Sequence, residues 1–236
     1  MSTPDLHLRT CFILDVAGRI VSTREPEATR GPLFVLVRDA SASCWAVRAD
    51  VPADIAADLD RLARDELPAA DLREAPRFAD RYIALLRDRL PSLSLPAGKT
   101  RLSDGPAFAF HDAIPESCGV VVVDDERRLD RHFHGWAPGE IAAGRGPVMA
   151  VVEDGFPVSV CFCARLSDAA AEAGLETAAA YRGRGYGPRV TAAWALAIRA
   201  SGRIPLYSTG WTNAASLAVA RKLGLVAYAC SWGLAD

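Results

Sequence analysis

Lysine is nearly missing from this chain: Lys99 and Lys222 are its only two, and arginine supplies the rest of its 27 basic residues. Against 29 acidic residues the formal net charge is −2, which excludes a general nucleic-acid binder, whose electrostatic footprint is basic. The arginine bias reads as genome composition rather than function. No apolar run reaches membrane-span length, and the opening Met1-Ser-Thr-Pro-Asp-Leu6 reads as an ordinary tail without signal-peptide character. Six cysteines, at positions 11, 44, 118, 161, 163 and 230, form no C-x-x-C pair. Cys161 and Cys163 face the same way on a strand, which favours neither a disulfide nor a zinc site. Buried thiols in a reducing cytoplasm are the expectation. Two phosphate-binding fingerprints are also missing. There is no G-x-G-x-x-G, and Gly98-Lys-Thr100 lacks the glycine at position 93 that a P-loop needs.

Glycine, by contrast, is concentrated where it carries meaning. In Ala178-Ala-Ala-Tyr-Arg-Gly-Arg-Gly-Tyr-Gly-Pro-Arg-Val190, three glycines and two arginines separate a strand-like run, Glu172 to Thr177, from a strongly helical one, Pro188 to Ala200. Glycine admits positive φ and lets a ligand approach the backbone closely. Pro188 suits the first turn of the helix, where a missing N–H costs nothing. The unpaired N–H groups and positive dipole end of that helix form an anion site, and Arg182 and Arg184 add full charge beside it. The arrangement outlines a pyrophosphate cradle; an Arg/Gly surface turn is the plain alternative. Beyond it lie a buried strand, Arg203 to Thr209, and a helix from Asn213 to Leu225. Thr212 or Asn213 is a good N-cap and Gly224 a good C′ residue.

The spacing Arg182-x-x-Gly185-x-Gly187 resembles the acyl-CoA-binding signature of the GNAT superfamily of N-acyltransferases. The Asn213-headed helix with its Lys222-Leu-Gly-Leu225 exit resembles that superfamily's next motif, with Leu225 in place of the usual Phe. The resemblance is strong over residues 147–232 and weak upstream. It implies a mixed, twisted sheet with helices on both faces, whose two central strands splay to admit the pantetheine arm of acetyl-CoA, the expected cosubstrate. The arm would pair with backbone at Glu176, Thr177 and Ala178. The pyrophosphate would sit on Gly183, Arg184, Gly185, Tyr186 and Gly187, with Arg182 beside them and Asn213 on the arm. Transfer of the acetyl group to a primary amine of a small molecule or peptide is the implied reaction.

Such a transfer needs a base, and Glu172 and Glu176 are the candidates, four apart and therefore on one face of a strand. It also needs a proton for the leaving thiolate. Many relatives carry a Tyr four residues before the Gly of the helix exit; here that position is Ala220. Ser216, one turn earlier, is the substitute, with Tyr228 and Tyr181 as further hydroxyls. The missing Tyr leaves open a non-catalytic acyl-CoA-binding or sensing protein, and a general phosphate-binding module is the third reading. No metal is expected: His132 and His134 stand two apart, and i and i+2 do not face each other on a helix. Asp124 to Trp136 is the stretch that, by resemblance, shapes the acceptor pocket.

The 236 residues, half of them apolar, admit one large domain or two small ones. Residues 1–95 read as a small α+β accessory unit, a degenerate copy, a lid or a homodimer surface. It has hairpins around Ala17-Gly18 and around residues 39–43, a helix after Pro52 carrying Ile55, Leu59, Leu62 and Ala63, and a second helix over residues 77–90. Pro91 to Pro106 reads as a linker by its Pro, Ser and Gly content. Residues 106–236 form the acyl-CoA-binding unit, in which Asp154-Gly155 between two β-rich runs marks a hairpin.

Overall fold

The computed structural model describes residues 3–89 and 101–236. The N-terminal part runs α1 (Thr3–Cys11), β1 (Phe12–Leu14), β2 (Ile20–Thr23), β3 (Phe34–Arg38), β4 (Ser43–Val47), α2 (Ala53–Arg64) and α3 (Ala79–Arg89). The remainder runs β5 (Arg101–Ala109), β6 (Val121–Val123), β7 (Val148–Glu153), β8 (Phe156–Leu166) and β9 (Ala170–Thr177). It closes with α4 (Tyr186–Ala200), β10 (Ile204–Ser208), α5 (Ala214–Lys222) and β11 (Val226–Ala235). Most of these elements follow the expected strand and helix periods. Asp154 and Gly155 turn β7 into β8 with φ of 50° and 81°, the left-handed pair that a two-residue hairpin requires.

Among the described residues nine strands form one mixed sheet in the order β4-β3-β11-β5-β10-β9-β8-β7-β6, and β1 and β2 pair separately. Alternation along the strands assigns the two faces. Cys161, Cys163, Ala171 and Leu175 pack with Trp194 and Ile198 of α4 and with Ala220 of α5. Leu36, Val47, Trp232 and Leu234 pack on the same side under α2 and α3. The opposite face carries Val35, Val37, Ala107 and Ala229 under Leu8 of α1, and Val160 and Phe162 under Leu129 and Phe133. Helices therefore cover both faces, as the resemblance implies.

Two expectations need correction. From Thr3 onward the expected tail is instead helix α1, with His7, Leu8, Thr10 and Cys11 buried against the sheet. Its order comes from tertiary burial, which local composition does not show. The linker expected over Pro91 to Pro106 falls partly outside the described residues, and its last six residues lie in β5. There the ladder with β11, Arg101↔Ala235 to Pro106↔Cys230, overrides the turn-like composition. The stretch after Val123 opens with a short 3₁₀ turn, Glu126–Arg128. Because β11 pairs with β3 on one side and β5 on the other, the sheet is continuous through both parts of the chain. No helix among the described residues is long and apolar enough to cross a membrane.

Candidate active site

The site begins where the sheet comes apart. In the sheet, β9 and β10 form the one parallel neighbour pair among the described residues, and they pair only at Ile204↔Ala170, Pro205↔Ala171 and Leu206↔Glu172. Beyond that point β10 continues alongside β5, through Tyr207↔Phe108 and Ser208↔Ala107. Meanwhile β9 stays with β8 as far as Thr177↔Ser159. The strands diverge, and the backbone of β9 from Ala173 to Thr177 has no strand on its β10 side. A cleft of about 1000 Å³ fills the gap, and every residue lining it lies between His132 and Lys222.

At the outer end of this slot stands the glycine-rich turn. Gly185 caps α4 in the left-handed region at φ 80°, with no side-chain cap, so the first-turn N–H groups stay open toward the cleft. A Cβ at Gly183 or Gly185 would meet nothing within 4 Å; both glycines line the cleft and present bare backbone to it. Helix α4 begins at Tyr186, two residues before the expected Pro188. Arg182 donates from Nε to the Thr177 carbonyl at 3.1 Å and lines the cleft. Arg184 does not line it: its guanidinium lies 5.0 Å from the Tyr181 ring centroid and bonds the Ala180 carbonyl at 3.3 Å. Ala178 closes the strand, donating to the Val158 carbonyl and accepting from Tyr181 N–H.

On the far wall Asn213 caps α5, accepting from Ser216 N–H at 3.1 Å, and both residues line the cleft. Ser216 Oγ lies 2.5 Å from the Tyr207 hydroxyl, which also donates to the Ser216 carbonyl at 3.3 Å. Tyr207 is buried beside Ala220 in the α4 core. Burial pushes its phenol up to about 12, with the Ser216 bond acting the other way. Nothing in the sequence singled out this tyrosine, because its role depends on the strand carrying its hydroxyl to α5. Tyr181 lines the cleft, whereas Tyr228 lies elsewhere, its hydroxyl 3.1 Å from His7 Nδ1.

The two glutamates share a face, as the period-2 argument requires, but their surroundings differ. Between them Gly174 accommodates the Phe162 ring; a Cβ there would come within 2.4 Å of it. Trp136 meets that ring edge-on at 4.8 Å, and the Arg145 guanidinium lies 5.2 Å from it, paired with Glu140 at 2.9 Å. Glu176 lines the cleft close to this group. Its side chain is exposed at the cleft, but the partial loss of water there raises the carboxyl above the ordinary 4.5, and the Arg145 charge partly offsets the rise. His132 and Phe133, from the stretch expected to shape the acceptor pocket, line the same cleft.

Glu172 is not in the cleft. Only 2 % exposed, it is covered by α1 and bonded by Arg165 Nη1 at 2.8 Å, Cys11 Sγ at 3.2 Å and the Ser208 hydroxyl. Burial alone would raise its carboxyl, but the Arg165 charge, with the Ser208 and Arg165 hydrogen bonds, holds it at about 2. Whereas Glu176 lines the cleft, Glu172 is therefore enclosed and held acidic away from it. Because the native value lies below the ordinary 4.5, this group's contribution to stability is whole above 4.5 and is lost as pH falls toward about 2. Denaturant midpoints measured down that range should fall steeply in the wild type. They should fall less steeply in Glu172→Gln, which starts from lower stability because Arg165 loses a buried partner.

A twisted mixed sheet, one splayed parallel pair and a glycine-rich turn at the head of the next helix define the GNAT fold. The chain belongs to the GNAT acetyltransferase family: the family model matches residues 111–229, just over half of its length. A GCN5-related N-acetyltransferase-like protein from Streptococcus suis shares the fold at 18% identity and TM-score 0.52, over 99% of this chain and 94% of that one. A GNAT-family protein from Novosphingobium aromaticivorans is 21% identical over 57% of this chain and 64% of its own, at TM-score 0.48. A GNAT-family acetyltransferase from Colwellia psychrerythraea is 14% identical over 62% of each chain, at TM-score 0.45. These last two matches span less than two thirds of the matched chains. No curated protein matches the sequence.

Proposed function

We propose that the protein is an N-acetyltransferase that moves an acetyl group from acetyl-CoA to a primary amine of a small molecule or peptide by direct attack. The observation that carries this reading is the parting of β9 and β10 beyond Leu206↔Glu172, with the open cradle of Gly183 to Gly187 at the end of the slot. Residues 106–236 supply the chemistry, and residues 1–95 take an accessory role. The N–H groups of the cradle and the charge of Arg182 receive the diphosphate, while Arg184 contributes from outside the cleft. The β9 backbone from Ala173 to Glu176, which has no strand on its β10 side, offers its hydrogen bonds to the amide arm, and Asn213 faces the arm from the opposite wall. The six cysteines stand as thiols with no disulfide between them, and a reducing, cytoplasmic setting is proposed with that chemistry.

Glu176 takes the amine proton, directly or through a water, as the nitrogen bonds to the acetyl carbon and the C–S bond breaks. Its raised carboxyl moves toward the pH at which a base works best. Ser216 donates to the departing sulfur. Tyr207 is held protonated by its burial, and turning its one proton from the Ser216 carbonyl to Ser216 Oγ leaves the serine proton free to point into the cleft.

Thermal unfolding with acetyl-CoA, CoA and ATP in turn tests the donor. A ligand at about 100 times its Kd adds ~2.7 kcal/mol, a rise of about 5–10 °C for a chain of this size. The rise is expected with acetyl-CoA and CoA and not with ATP. No shift with any of them would reduce the cradle to an Arg/Gly turn.

A further inference from the structure

We infer that Glu172 is a positioning residue: through Ser208 it pins β10 to β9 at the point where the slot opens, and so sets the slot's width. Leu206↔Glu172 is the last pair between the two strands, and Ser208 lies two residues further along β10, on the same face. Across the widening gap the Ser208 hydroxyl donates to Glu172 Oε1. Ser208 lines the cleft, so this bond sits at the apex of the slot.

The other carboxylate oxygen is anchored away from the cleft. Oε2 accepts from Arg165 of β8 at 2.8 Å and from Cys11 of α1 at 3.2 Å. Cys11 Sγ lies 3.7 Å from His7 Nε2 one helical turn away, and His7 Nδ1 meets the Tyr228 hydroxyl of β11 at 3.1 Å. His7, Cys11 and Glu172 are all buried. A carboxylate held on three sides cannot rotate to follow Ser208, so the serine, and β10 with it, is held at a fixed distance from β9. Bonds to an ionised acceptor are roughly twice as strong as neutral ones, which suits a clamp carried by two side chains. Helix α1 thereby belongs to the support of the slot, although none of its residues lines the cleft.

The geometry stands without a ligand; the consequence for acyl-donor binding rests on the function proposed above. Ser208→Ala deletes one hydroxyl at a half-buried position, and Ser208→Thr keeps it. In the ligand-free protein, amide exchange of residues 206–208 should be at least ~10-fold faster in Ser208→Ala and near wild type in Ser208→Thr. Calorimetric CoA binding should be about 10-fold weaker in Ser208→Ala and within about twofold of wild type in Ser208→Thr. Unchanged exchange in Ser208→Ala overturns the pin. Faster exchange with undiminished CoA affinity overturns its part in setting the slot. Should the wild type bind no CoA, the donor reading falls while exchange alone still decides the pin.

Discussion

Glu176→Gln is expected to lower kcat by about 10²–10⁴-fold, the usual contribution of a positioned general base, while leaving acyl-donor affinity within about twofold. The amide matches the carboxylate in shape and removes only its ability to take a proton. Because partial desolvation at the cleft raises the Glu176 carboxyl, the wild-type kcat/KM should fall on the acid side with an apparent pKa above the ordinary 4.5, and the variant should lose that limb. The check is a pH–rate profile with an acceptor found by an amine screen, beside donor binding measured by thermal shift. Glu172→Gln supplies the contrast. Its carboxyl sits at about 2 and is enclosed by α1, so the variant should keep the wild-type acid limb. A Glu176→Gln enzyme with wild-type kcat would remove this residue from the chemistry.

How far the two glutamates were legible in sequence follows from what separates them. Their common face is a property of strand period alone, and it holds. Their environments depend on α1 and on the 126–145 stretch, which arrive from distant parts of the chain. The glycine-rich turn and the helix start beyond it were legible because their determinants are local: positive φ at Gly183 and Gly185 and a helix start with no side-chain cap. Asn213 was legible for the same reason, since a cap bond spans three residues. Helix α1 was not, because Thr3 to Cys11 carries little amphipathic pattern and gains its order from burying Leu8 and Cys11 against strands far along the chain. The start of β5 was hidden similarly: Gly105 and Pro106 read as turn chemistry until β11 supplies a ladder. Tyr207 and Ser208 sit on a strand that reads as generic core, and both act through side chains of other elements.

Gly185→Asp is expected to weaken CoA binding by about 10³-fold with only a modest loss of stability. Gly185 stands at φ 80°, and its missing Cβ would point into open space within the cleft. Aspartate is among the few side chains that visit the left-handed region, so the fold cost is about 1–2 kcal/mol. The electrostatic cost to the ligand is larger. A carboxylate about 4 Å from one phosphate charge, at an effective dielectric near 20, costs ~4 kcal/mol, or about three decades in Kd. Gly185→Asn carries the same backbone burden without the charge and should lose far less. Screening separates the two further: the Asp variant should recover part of its affinity as ionic strength rises over a range in which Asn changes little. Calorimetric titration of both variants at two salt concentrations checks this. Equal losses in Asp and Asn would assign the glycine's role to backbone conformation rather than to an anion held at the head of α4.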